Sequence, residues 1–148
     1  MQRKRETLVV VRGGGDIATG TIQKLWNSGF GLVILETDRP TAIRRKVALS
    51  QAVYEGTATV EELTAARIES TDEIEKEWEK GRIPLLVDPE YRCLEDLKPL
   101  ALVDAILAKK NLGTHRKMAK YTLALGPGFT AGADVDLVIE TMRVHSLG

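Results

Sequence analysis

Apolar residues in this chain fall into short continuous runs, and the segments between several of them carry helical spacing. Residues 8–11 are uninterruptedly apolar, with β-branched valines at 9, 10 and 11, the pattern of a strand buried on both faces. Three glycines, Gly13, Gly14 and Gly15, follow almost at once. Residues 16–28 then place Ala18, Ile22, Leu25 and Trp26 on one helix face, and Gly29 and Gly31 end that helix. Residues 32–35 read as a second strand, closing a strand–helix–strand unit. Residues 41–54 are ambiguous: Ile43 and Val47 favour a short helix, and Gly56 stops it. Residues 65–68 read as a short strand. Ser70 and Glu73 have the spacing of a capping box, and the helix they start runs to Lys80 with Ile74 and Trp78 facing inward. Residues 83–87 form a strand that Asp88-Pro89 breaks, whereas 100–107 fit a strand or a helix equally well. Residues 121–125 form a strand before a second glycine-rich stretch from Gly126 to Gly132, and residues 135–142 form a last apolar segment, read as a strand. The alternation predicts one α/β domain across residues 1–148, with a mostly parallel sheet.

Composition narrows the partners. Twenty-one Lys and Arg balance 21 Asp and Glu, which argues against a protein that coats nucleic acid. Cys93 is the only cysteine, so an intrachain disulfide and a cysteine metal cluster are both excluded, and a reducing, cytoplasmic setting is expected. No apolar run approaches the roughly 18 residues of a membrane span. The basic start, Met1 to Glu6, is not followed by a cleavage-type sequence and reads as a mature terminus.

The chemistry lies in the glycines. Gly13-x-Gly15-x-x-Ala18 between a strand and a helix is a variant of the dinucleotide fingerprint. In that arrangement glycines let a phosphate approach bare backbone amides at a helix start. It makes the expected fold Rossmann-like, with helices on both faces of the sheet. Gly13, Gly14, Gly15 and Asp16 are therefore candidate ligand contacts, with Asp16 also suited to the helix dipole. Glu36 ends the second strand about 20 residues on, the place of a ribose-binding carboxylate. Arg39 is placed to read a ribose 2′-phosphate, or to pair with Asp38. Arg44, Arg45 and Lys46 cannot share one helix face; Arg44 is the candidate to neutralise phosphate. In the second loop Gly126 and Gly128 allow a nest of amides, with Thr130 adding a hydroxyl and Asp134 and Asp136 able to cap a helix or hold a cation. His145 is a candidate acid–base group beside Arg143. His115, Lys109, Lys110 and Arg116 form a basic loop, a lid or an exposed surface. Arg92 beside Cys93 offers a lowered thiol pKa. No serine–histidine–aspartate set, metal-binding histidine pair or Walker lysine can be assembled, so no catalytic residue and no metal site is assigned.

These same stretches resemble a known family, the accessory proteins of the selenium-dependent molybdenum hydroxylase system, related to xanthine dehydrogenase accessory factors. The similarity runs through 12–20, 36–45, 51–56, 84–89, 103–111, 126–132 and 138–143, in order and over nearly the whole chain. It implies a Rossmann-like domain acting in maturation of hydroxylases that carry a labile selenium. It also implies a longer protein with a further β-rich C-terminal segment. Val144 departs from the glycine common there and would narrow approach to His145. The expected ligand is NAD(P) or the nucleotide part of a molybdopterin dinucleotide, and the expected partner a molybdenum hydroxylase; oligomerisation is left open. The alternatives are an NAD(P)-dependent oxidoreductase and a non-catalytic interaction module.

Overall fold

The computed structural model describes residues 2–40, 48–108 and 110–139. Its strands and helices run, in chain order, β1 (Leu8–Arg12), α1 (Asp16–Asn27), β2 (Gly31–Glu36), α2 (Ala52–Glu55), β3 (Thr57–Val60) and β4 (Leu63–Ile68). Then come α3 (Ile74–Glu79), β5 (Ile83–Val87), α4 (Leu94–Leu97), β6 (Ala101–Asp104), β7 (Tyr121–Leu125) and β8 (Leu137–Ile139). One eight-stranded sheet results, in the order β3-β4-β5-β2-β1-β6-β7-β8. Every pairing is parallel except β3 with β4. The continuous apolar runs are central strands: residues 8–12 of β1 are all buried. This is the expected mostly parallel α/β, Rossmann-like sheet.

Register assigns the faces. In parallel pairs, partners point to the same side, so Val9, Val11, Leu32 and Ile34 share one face and Val10, Arg12, Gly31 and Leu35 the other. The chain steps from β1 to β2 towards one edge, and from β4 to β5 and on to β8 in the opposite direction. Right-handed crossovers then put α1 and α3 on opposite faces. The contacts agree. Gly14 abuts Ile34 on the first face, while Trp78 of α3 lies against Gly31 on the second and donates its indole N–H to the Leu32 carbonyl at 3.0 Å. Because every step after β4 runs one way, no described helix crosses the first face over β7 and β8. Tyr121 and Leu137, which lie on it, are 52% and 51% exposed.

Several elements differ from the sequence reading. The short strand at 65–68 is the end of a longer β4, whose antiparallel partner β3 has no sequence signal. Their turn is carried by Glu61 at φ 54°, not by the usual Asn or Gly. Within 100–107, strand forms over Ala101–Asp104, β6, which lies between β1 and β7. The last apolar segment forms strand only at Leu137–Ile139 among the described residues. From the 41–54 segment, residues 49–54 fall in a helical turn (Leu49–Gln51) and in α2, which runs on to Glu55; Ile43 and Val47 lie outside the described residues. The capping box is present as read: the Glu73 carboxylate accepts the Ser70 N–H at 2.9 Å.

Candidate functional site

The chain turns one way after β1, to β2, and the other way after β6, to β7. The carboxyl ends of β1 and β6 therefore flank a topological switch point, where parallel α/β sheets hold their ligands. A cavity of about 330 Å³ lies there. Gly13 and Gly15 line it from the end of β1, Glu36 and Arg39 from the end of β2, Asp88 from β5 and Ala105 from β6.

The three glycines do different work. Gly13 has φ +98°, and a Cβ on it would lie 3.1 Å from the Ala105 carbonyl oxygen and the Ile106 Cα. Its N–H donates to the Leu35 carbonyl at 2.9 Å, stitching the loop to β2. A Cβ on Gly14 would press on Ser50 and Ile34 at 3.2 and 3.3 Å. Gly15 is different. Its backbone is extended, at φ −69° and ψ 178°, and nothing lies within 4 Å of the place its Cβ would take. No steric contact within the fold requires glycine at 15; it caps α1, a position where glycine is better than valine or alanine, and it lines the cavity.

Glu36 binds back onto that loop. One carboxylate oxygen accepts the Gly14 N–H at 2.8 Å and the other the Thr37 N–H at 3.0 Å. Burial nevertheless outweighs these bonds and pushes its pKa above the ordinary glutamate value. The raised value has a definite sign. Glu36 stabilises the fold most when protonated, and this contribution is lost as pH rises through the raised pKa. Glu36→Gln removes the charge at similar shape. The variant should gain most over wild type at neutral pH, and the gap should close as pH falls through the carboxylate range. Urea unfolding of both proteins across mildly acidic pH checks this; a gap that widens on acidification contradicts it.

A buried polar network on the opposite face closes the site and was not read from the sequence. Arg12, 7% exposed, ends β1, and Asp104, 1% exposed, ends the neighbouring β6; they pair at 3.8 Å. The Thr114 hydroxyl donates to Asp104 at 2.5 Å and accepts from the Arg12 guanidinium. The Leu112 carbonyl accepts from Arg12 at 3.3 Å and from the Tyr91 hydroxyl at 2.9 Å, and the Tyr91 ring stacks on Arg12 at 4.1 Å. The segment that carries Leu112 into the cavity wall is thus pinned from beneath. The available signal was that residues 8–11 and 100–103 each run apolar into a charge, of opposite sign.

Other sequence candidates lie elsewhere. Asp16 starts α1 beside the cavity but does not line it. Gly126, Gly128 and Thr130 follow β7, so they emerge at the same sheet edge as Gly13 but two strands away, roughly 10 Å at ordinary strand spacing. They do not line the cavity, and the Thr130 and Gly132 amides already bond to Asp134 and the Val135 carbonyl. Asp136 is engaged by the Thr122 amide and by Arg116, and the described residues hold no metal-ligating cluster. The lowered thiol pKa expected for Cys93 is overturned. The thiol is buried beside the Asp88 carboxylate, which accepts the Cys93 N–H at 2.8 Å; burial first, and the acid second, push its pKa up, while Arg92 pairs with Glu90 instead. Arg44, Arg45, Lys46, Lys109, Arg143, Val144 and His145 lie outside the described residues. No described helix is long and apolar enough to cross a membrane.

No family model and no solved structure matches the chain. The chain is 55% identical over 141 residues to a protein of Escherichia coli K12 named only as the uncharacterized protein YqeB. The alignment takes in 95% of this chain but 26% of that protein, so the chain spans about a quarter of the length of the curated relative it matches.

Proposed function

We propose that this domain binds a nucleotide-containing ligand at the switch-point cavity and serves as an accessory protein in the maturation of selenium-dependent molybdenum hydroxylases. The observation that carries the binding is Gly15: a glycine that no steric contact within the fold requires, capping a twelve-residue helix and lining the cavity. The groups present suit such a ligand. The first turn of α1 offers backbone amides to a phosphate. Glu36 has a carboxylate at the cavity for ribose hydroxyls, and Arg39 a guanidinium for a 2′-phosphate. The ligand is NAD(P) or the nucleotide part of a molybdopterin dinucleotide. The maturation role rests on the family resemblance of the sequence, and a molybdenum hydroxylase is then the partner.

Thermal-shift screening with NAD, NADP, CTP and GTP tests the binding. For the role, a host making a selenium-dependent molybdenum hydroxylase should, once this gene is deleted, yield enzyme with a lowered selenium-to-molybdenum ratio. An unchanged ratio removes the maturation reading and leaves the binding reading standing.

A further inference from the structure

A second cavity, of about 660 Å³, lies between the segment joining β5 to β6 and the segment joining β6 to β7. Tyr91 separates it from the switch point: the ring lines this cavity and stacks on Arg12, which lines the other. Leu94, Pro99 and Met118 give it an apolar floor, and all three are buried. Its rim is basic. Lys98, Lys117, Lys120 and His115 line it, against one acid, Glu95. Among the described residues none of the three lysines takes part in an ion pair. The whole chain is formally neutral, so this excess is a local arrangement.

The backbone points the same way. Tyr91 and Lys98 adopt left-handed conformations, at φ 52° and 44°, which are costly for residues with a Cβ. Lys98 closes α4, where glycine is the cheaper and usual choice. The lysine at that position lines the cavity and supplies it with a cation. An adjoining cavity shares His115, Lys117 and Lys120 and extends the basic surface to Arg116, whose charge Asp136 answers at 3.0 Å.

The Lys120 ammonium lies over the Tyr121 ring at 5.5 Å, but none of the three has a carboxylate partner among the described residues; such groups call for an anion, and a buried apolar floor calls for a hydrophobic body. We propose that this cavity is a binding site for a small organic anion, a phosphate or carboxylate carried on an aromatic or acyl group. It shares no cationic residue with the nucleotide cavity and stands independently of that reading.

Calorimetric titration with phenyl phosphate, inorganic phosphate and p-cresol tests it, on wild type and on the Lys98→Gln/Lys117→Gln/Lys120→Gln variant. The three lysines are exposed, so the variant should fold with an unchanged unfolding midpoint. Phenyl phosphate should bind wild type at least tenfold tighter than either fragment, and the variant should lose at least tenfold. Amide shifts on titration should concentrate at residues 91–99 and 115–120. Equal affinity for wild type and variant, no preference over inorganic phosphate, or shifts centred on residues 12–15 and 36–40 would each overturn the proposal.

Discussion

Asp104→Ala should cost the fold about 3–5 kcal/mol, the usual loss when one partner of a buried ion pair is removed. Arg12 would keep its charge in a setting where it is 7% exposed. The Thr114 hydroxyl would lose its 2.5 Å acceptor, and the Ile106 N–H its bond at 3.1 Å. Against a domain stability of roughly 5–15 kcal/mol this is a large fraction. Replacing both charges together, Arg12→Met with Asp104→Leu, should cost less than Asp104→Ala alone, because no uncompensated charge remains. Urea unfolding of the three proteins measures the difference. A loss under about 1 kcal/mol in the single variant would mean that the network does not carry the carboxyl edge of the sheet.

Gly15→Val should lower nucleotide affinity at least tenfold, about 1.4 kcal/mol at 25 °C, in a protein that still folds. The φ of −69° suits valine and no heavy atom lies within 4 Å of its Cβ position, so the fold should lose only roughly 1 kcal/mol from a poorer helix cap. The side chain would instead enter the space the ligand must cross. Gly13→Ala should behave in the opposite sense. At φ +98° alanine costs roughly 1–3 kcal/mol of stability through the backbone alone. The two neighbouring glycines thus separate a ligand requirement from a folding requirement, in one pair of melting and binding measurements.

The order of elements was legible where a strand is apolar along its whole length and ends at glycine or proline. Residues 8–15 and 83–89 show this, since a central parallel strand has no solvent face to alternate with. Four-residue elements such as β3 and α4 are too short to display a period, and only packing makes them. The loop and Glu36 were readable together because β1 and β2 are consecutive and adjacent, so spacing in sequence becomes proximity in the sheet. Arg12 and Thr114, 102 residues apart, meet only because β6 pairs with β1 across the switch point. No local pattern states that pairing. Spacing also could not show that the glycine loop after β7 would emerge beyond β6, outside the cavity wall.

Isothermal titration of NAD, NADP, CTP and GTP into the wild-type domain and into Gly15→Val tests nucleotide binding at the switch point most directly. Saturable one-site binding of at least one of the four to wild type is expected, weakened at least tenfold in a folded Gly15→Val protein. Heats of dilution alone for all four, or an affinity that Gly15→Val leaves unchanged, would contradict it.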